Sequence, residues 1–206
     1  MVKSHQGCRK VSGKGGTEMK VTKTVRWERT RGMTECALCA ALIALCAWIA
    51  IPAAVPFTMQ TFGVFAALSM LGGKRGTAAV AVYLALGLLG LPVFSGFRGG
   101  PGALLGATGG YITGFLALAL TVWGAERLCG RSFWVQAAAM VLGLLACYAF
   151  GTAWYLVVYT RTTGPISLGA ALWMCVLPFV PLDLGKMVLA LLLGRRVRRA
   201  MEGRRN

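Results

Sequence analysis

The sequence is poor in charged residues, and above all in acidic ones. Only 14% of its 206 residues are charged and six are acidic, against 57% hydrophobic residues. Soluble domains carry about 25% charged residues, so an ordinary soluble enzyme, a disordered protein and a nucleic-acid-binding module are excluded. Histidine occurs once, at His5. Neither a Ser-His-Asp catalytic triad nor a typical zinc site is therefore expected.

The net charge of +16 is concentrated at the two ends of the chain. Of 22 Lys and Arg residues, nine precede Met33 and six follow Gly194. The interior is almost uncharged, a distribution typical of membrane proteins. Residues 1–32 show no sustained apolar period and are predicted to form a basic, disordered cytoplasmic extension. Residues 200–206 are predicted to form a basic tail.

Six apolar segments are separated by breaks rich in proline, glycine or charge. They cover residues 36–51, 57–72, 77–93, 103–124, 133–159 and 166–194. A helix needs about 20 residues to cross a hydrocarbon core about 30 Å thick, and the first three segments are near the lower limit. The pattern predicts an all-α, polytopic membrane domain of six transmembrane helices over residues 33–199.

The basic residues also alternate from loop to loop. If the N-terminus is inside, 19 of the 22 Lys and Arg residues lie on the inner side, and only Arg98 and Arg161 lie outside. Loops rich in Lys and Arg remain in the cytoplasm. The chain is therefore predicted to be a multi-pass membrane protein with both termini cytoplasmic.

The last apolar segment is interrupted by Pro178 and Pro181. Proline inside a helix removes a backbone hydrogen bond and clashes with the preceding turn, whereas it is well tolerated at a helix start. We expect a half-helix over residues 167–177, with Ser167 as its cap, followed by a final helix that starts near Pro181. Broken helices at membrane depth commonly mark a binding site.

The same segment contains Asp183, the only aspartate of the chain, and Lys186. Residues three apart share one face of a helix. An ionised side chain at the bilayer centre costs about 2.5–3.5 kcal/mol, so the two must face a cavity or each other. Two interpretations stay open: a polar recognition site for a small molecule, or a purely structural ion pair.

Glycine-rich sequence between residues 90 and 115 offers a second candidate region. Residues 95–101 are predicted to form a loop that covers a pocket. Glycine then recurs every four residues, a spacing suited to close helix packing, at Gly102, Gly106, Gly110 and Gly114. Tyr111 is interpreted as a cavity-lining ring or as an anchor at the membrane interface. Thr58 and Gln60 are weaker candidates, because such residues also bond neighbouring helices.

Four stretches of the chain are distinctive, namely PFTMQTFG, GLPVFSGFRGG, ATGGYITGF and LPFVPLDLGK. Together they closely resemble the BioY family, the biotin-specific substrate-binding (S) components of energy-coupling factor (ECF) transporters. The resemblance covers about Met33 to Arg199. It implies a non-enzymatic, six-helix bundle of the ECF S-component type that captures biotin as a transported ligand. Import in the family uses a transmembrane coupling subunit and a pair of ATPases, and the resemblance implies a multi-pass protein of the bacterial cytoplasmic membrane. Leu182 and Ala107 depart from the family's glycine and proline at those positions, but Asp183, Lys186 and Tyr111 remain.

The resemblance also implies roles for individual residues. The Asp183 carboxylate would accept hydrogen bonds from the two ureido N–H groups of biotin, and the Lys186 ammonium would donate to its carbonyl oxygen. The glycine-rich loop that carries Arg98 resembles the family's lid. Arg98 would either contact the biotin carboxylate or be a solvated loop residue. The remaining residues expected at the ligand are Thr58, Gln60, Phe94, Gly99, Gly110, Tyr111 and Trp154.

Small residues on the first helix resemble the family's surface for the coupling subunit. They form two AxxxA pairs, Ala37/Ala41 and Ala40/Ala44, and small residues four apart permit close helix contact. Alanine is also common in spanning helices for no such reason. Two alternatives to a biotin carrier remain at this stage, namely an S component for thiamine or riboflavin, and a membrane scaffold that binds no ligand.

Overall fold

A computed structural model of the chain describes residues 14–51 and 56–203. Eight α-helices lie in these ranges: α1 Lys14–Trp48, α2 Gln60–Leu71, α3 Gly73–Leu88, α4 Pro101–Leu105, α5 Gly109–Cys129, α6 Phe133–Thr162, α7 Leu168–Cys175 and α8 Phe179–Gly203. Two short antiparallel strands, β1 Ala50–Ile51 and β2 Phe57–Thr58, pair between α1 and α2. The all-α prediction is confirmed.

Each of the six predicted apolar segments contains helix. Three helical stretches are long and apolar enough to cross a membrane, namely Arg29–Trp48, α5 and α6. Helices α7 and α8 qualify together as a fourth span that bends by 40° at its break. Helices α2 and α3 have only 12 and 16 residues. Length and composition thus support three or four spans, and the count of six stays a prediction.

Residues 14–32 of the N-terminal extension, expected to be disordered, form the first part of α1 in this structure. No proline precedes Pro52, so nothing in this stretch breaks a helix, and a helix does not require an apolar face. Grouped by its contacts, the chain divides into Met1–Thr34 and Glu35–Asn206. The predicted extension also includes residues 1–13, which lie outside the described residues.

The break in the final segment is confirmed. The Ser167 hydroxyl accepts a hydrogen bond from the backbone N–H of Ala170 at 3.2 Å and caps α7. Helix α7 ends at Cys175, and α8 begins two residues earlier than predicted. Pro181 therefore lies in the first turn of α8, where a backbone N–H has no partner within the helix.

Helix α2 lies in the centre of the bundle, which explains how so short a helix is accommodated. Every residue from Gly63 to Ser69 is buried. A Cβ on Gly63 would lie 3.0 Å from Cα of Ile43 on α1. On the other side, the Ser69 hydroxyl donates to the carbonyl oxygen of Ala190 on α8 at 2.7 Å. Both neighbours are protein, so α2 need not match the bilayer by itself.

Helices α5 and α6 form a closely packed antiparallel pair. A Cβ on Gly110 would lie 2.3 Å from Cβ of Trp154, and one on Gly114 would lie 2.8 Å from Sγ of Cys147. The predicted packing role is confirmed for these two glycines. Gly102 has nothing within 4 Å of such a Cβ, so the packing ladder does not extend to it.

Candidate functional site

A cavity opens where the N-terminal ends of α2, α5 and α8 meet. It encloses about 630 Å³ free of protein atoms, its mouth included. The β1–β2 pair brings Thr58 to its edge, and α2 starts there with Gln60 and Thr61. The rings of Phe57 and Phe179 stack at 4.1 Å and hold β2 against the start of α8. This arrangement brings residues from distant parts of the sequence around Asp183.

Asp183 is almost completely buried, with 1% of its surface exposed, and three groups donate to its carboxylate. The hydroxyl of Thr61 lies 2.8 Å from Oδ1 and the ammonium of Lys186 lies 2.9 Å from the same oxygen. The hydroxyl of Tyr148 lies 2.7 Å from Oδ2. Charge-assisted hydrogen bonds of this kind compensate for the loss of water around a buried carboxylate.

Lys186 is also fully engaged. Besides Asp183, its ammonium donates to the carbonyl oxygen of Thr58 at 2.7 Å and to the hydroxyl oxygen of Thr61 at 3.2 Å. An ammonium has three hydrogens to donate, and each has an acceptor here. The predicted convergence of Asp183 and Lys186 on one cavity wall is confirmed by the geometry, and the two charges satisfy each other in this structure.

The other walls are largely apolar. Tyr111 lines the cavity, and its hydroxyl lies 2.9 Å from that of Thr152. Gln60 lines it too, while its Nε2 donates to the hydroxyl of Tyr83 at 2.8 Å. The remaining apolar surface comes from Ile112, Phe115, Leu144 and Phe179. A charged floor with apolar walls suits a ligand that has one polar end and an apolar body.

An outer cavity adjoins the first and shares Pro56, Ser95 and Thr108 with it. It encloses about 1000 Å³, open solvent included, and Arg98 is the one charged residue in its lining. The loop that carries Arg98 is held by a hydrogen bond from the Phe94 N–H to the Arg98 carbonyl oxygen at 3.0 Å. As expected for residues 95–101, this loop lies at the mouth.

Four residues expected at the ligand line neither cavity. Phe94 is 1% exposed and packs edge-on against Tyr83, with ring centroids 5.5 Å apart. Gly99 packs against the carbonyl of Leu91, where a Cβ would lie 2.2 Å from the oxygen. Gly110 makes room for Trp154, as described above. The indole of Trp154 donates to the carbonyl oxygen of Gly106 at 3.0 Å. These positions therefore serve packing in this structure.

The two alanine pairs on α1 face different surroundings. Ala40 and Ala44 are 2% and 8% exposed and belong to the core of the bundle. Ala37 and Ala41 are exposed. Because the two pairs lie on different faces, only Ala37 and Ala41 are available to another protein in this structure.

Sequence reasoning missed Thr61 and Tyr148, the two hydroxyl donors to Asp183. Thr61 directly follows Gln60, which was a predicted site residue, but Thr61 itself was not predicted. Tyr148 is a hydroxyl-bearing residue in the middle of the long apolar segment 133–159. Its position within that segment was the available signal, because buried tyrosines usually find a hydrogen-bond partner, but Tyr155 and Tyr159 in the same segment carry the same signal.

Known proteins that the chain resembles show its family. The family model for BioY matches residues 17–203. The chain belongs to the BioY family. The biotin transporter BioY of Thermotoga maritima is 40% identical over 170 residues, covering 82% of this chain and 96% of that protein. BioY2 of Lactococcus lactis, also named a biotin transporter, is 32% identical over 172 residues, covering 82% and 91%.

A solved structure of the same kind supports the fold. The crystal structure of the S-component for biotin from an ECF-type ABC transporter matches with a TM-score of 0.72 and 28% sequence identity. The match covers 84% of this chain and 93% of that one. These BioY relatives are transporter components and not enzymes. The chain accordingly has the fold of an ECF S component.

Proposed function

We propose that this chain is the biotin-binding S component of an ECF-type uptake transporter. The observation that carries the proposal is the buried Asp183–Lys186 pair at the floor of an apolar-walled cavity in a chain of the BioY family. Biotin has the matching form, with a polar ureido group at one end of an apolar bicycle. No cofactor is needed, because the vitamin is the transported ligand.

The chemistry of the floor explains how biotin would be recognised. The Asp183 carboxylate accepts hydrogen bonds from the ureido N–H groups, and the Lys186 ammonium donates to the ureido oxygen. Both groups are satisfied internally without ligand, so biotin must replace some of these bonds. Thr61 bridges the two charged groups, and its hydroxyl holds both of them in position for the ligand.

Arg98 suits the other end of the ligand. It lies in the outer cavity, on the side from which a molecule would enter. The valeryl chain of biotin would run from the inner to the outer cavity past Ser95 and Thr108, which line both. A guanidinium at that position offers a charge-assisted contact to the terminal carboxylate.

The remaining parts of the proposal concern the membrane. The alternating basic residues favour six spans and cytoplasmic termini, and the bacterial relatives favour a place in the bacterial cytoplasmic membrane. The cavity then opens outward, as uptake requires. Import would need a transmembrane coupling subunit and a pair of ATPases, with the exposed Ala37 and Ala41 as the contact on α1.

Calorimetric titration of the detergent-purified protein with biotin tests the proposal. We expect saturable binding by the wild type and a large loss in Asp183→Asn, which has nearly the same shape but lacks the charge. A biotin analogue methylated on one ureido nitrogen should bind weakly to both. Asp183→Asn must first melt cooperatively, so that loss of binding is not loss of fold.

The alternatives give different outcomes in the same experiment. Saturable binding of thiamine or riboflavin in place of biotin would assign another vitamin to the cavity. No saturable ligand in a folded sample would favour a scaffold in which Asp183 and Lys186 are purely structural. Wild-type affinity for biotin in folded Asp183→Asn would contradict the proposed site but not the assignment of biotin as the ligand.

A further inference from the structure

The end of the bundle opposite the cavity carries exposed positive charge that the proposed biotin site does not use. We call it the basic patch, and it consists of Lys74, Arg127, Arg195, Arg196 and Arg199, all exposed. Along α5, Arg127 lies 16 residues beyond Tyr111, about 24 Å at 1.5 Å per residue. Along α8, Arg195 lies about 18 Å beyond Asp183 by the same measure.

The carboxylates described at this end are already occupied. Glu126 accepts hydrogen bonds from the backbone N–H of Gly73 at 2.7 Å and from Nε2 of Gln136 at 2.9 Å, with Nε of Arg131 at 3.7 Å. Glu35 pairs with Arg75 at 3.0 Å. Among the described side chains, none of the five cations of the basic patch forms an ion pair with a carboxylate.

Two other arginines hold the helix ends together. Arg131 donates to the carbonyl oxygen of Met70 at 3.2 Å. Arg198 donates to the carbonyl oxygen of Ser69 at 2.5 Å and to Oε1 of Gln136 at 3.3 Å. These contacts join the end of α8, the start of α6 and the end of α2. The surface that carries the basic patch is therefore held together by hydrogen bonds across three helices.

Large apolar side chains are exposed beside these cations. Trp134 is 79% exposed and Leu128 is 86% exposed. The guanidinium of Arg195 lies 3.9 Å from the ring centroid of Phe133, which leaves its N–H edge free to bind an anion. Tryptophan next to Arg and Lys is typical of the headgroup level of a membrane.

We propose that the basic patch binds the phosphate headgroup of an anionic phospholipid of the phosphatidylglycerol class. Arg195 and Arg199, one turn apart on α8, would contact the phosphate, and the other cations of the patch would add to the positive potential around it. Trp134 and Leu128 would lie against the glycerol and the upper acyl chain. The exposed apolar residues favour a lipid over a soluble anion or an acidic protein, neither of which would cover them with hydrocarbon.

Native mass spectrometry of the detergent-purified protein, with phosphatidylglycerol or phosphatidylcholine of equal chain length, tests this assignment. We expect the wild type to retain phosphatidylglycerol preferentially. In the double variant Arg195→Gln/Arg199→Gln, this preference should fall about fivefold for each cation lost. The matched control is Arg161→Gln, which removes an exposed arginine at the far end of α6 and should retain the wild-type preference. Biotin affinity should be unchanged in both variants.

A second variant covers the case in which the glutamine variant fails to fold. Arg195→Lys/Arg199→Lys keeps the charge and should keep most of the lipid preference. Equal retention of the two lipids by the wild type would overturn the proposal. So would an equal loss in Arg161→Gln, or a rise in melting temperature with inorganic phosphate as large as that with phosphatidylglycerol. Unchanged lipid retention in folded Arg195→Gln/Arg199→Gln would overturn it too.

Discussion

The hydroxyl of Tyr148 on α6 donates a 2.7 Å hydrogen bond to Oδ2 of Asp183 on α8. The opposite carboxylate oxygen is held by Thr61 and Lys186. Donors from three helices therefore fix the plane of the buried carboxylate. The carboxylate thus presents its oxygens to a ligand in one orientation, which lowers the entropic cost of binding, although the ligand must replace some of these hydrogen bonds.

Tyr148→Phe removes this donor while leaving the ring in place. We expect biotin affinity to fall about tenfold, because a hydrogen bond to a charged group contributes roughly 1.5–3 kcal/mol and the carboxylate would lose its fixed orientation. Calorimetric titration gives the affinity. Tyr155→Phe is the matched control, since Tyr155 is a buried tyrosine of the same helix whose hydroxyl contacts Sδ of Met174 at 3.7 Å. Equal affinities in the two variants would argue against a positioning role for Tyr148.

Thr61 allows a second test with a conservative pair of substitutions. Thr61→Ser keeps the hydroxyl that joins Asp183 to Lys186, whereas Thr61→Val keeps the shape and loses it. We expect near wild-type biotin affinity in the serine variant and at least a tenfold loss in the valine variant, with similar melting temperatures. If both variants bind like the wild type, the hydroxyl does not take part in recognition.

The general architecture could be predicted from the sequence because it depends on local properties. Apolar length, proline position and the Ser167 cap are features of single segments, and they located the helices and the break before α8. The convergence of Asp183 and Lys186 followed from their spacing on one helix. Helix formation over residues 14–32 was missed because the absence of apolar periodicity was interpreted as the absence of a helix.

The partners across helices could not be predicted in the same way. Whether Tyr148 or Trp154 faces the cavity depends on the rotation of α6 about its axis, and close packing of Gly110 against Trp154 fixes that rotation. Phe94 was expected at the ligand, but its ring fills the space beside Gly87, where a Cβ would lie 2.0 Å from it. Such contacts are set by tertiary packing, which a sequence motif does not contain.

The packing of α5 on α6 gives a stability prediction. Gly110→Ala places a Cβ 2.3 Å from Cβ of Trp154, and overpacking of this kind costs about 1–3 kcal/mol. Gly124→Ala lies on the same helix with nothing within 4 Å of the new Cβ, and it gains helix propensity. In detergent, thermal unfolding should start at lower temperature for the first variant only. Equal melting temperatures would show that α6 shifts without penalty.

The two faces of α1 separate the proposed coupling contact from the core. Ala41 is exposed and Ala40 is 2% exposed, so leucine at these positions should act differently. Ala41→Leu should leave biotin binding and melting temperature unchanged but reduce co-purification with the ECF coupling subunit, because a larger side chain prevents close helix approach. Ala40→Leu should instead lower the melting temperature through overpacking. Ala138→Leu, at an exposed alanine of α6, is the control, and a loss of co-purification as large as that in Ala41→Leu would place the coupling contact elsewhere.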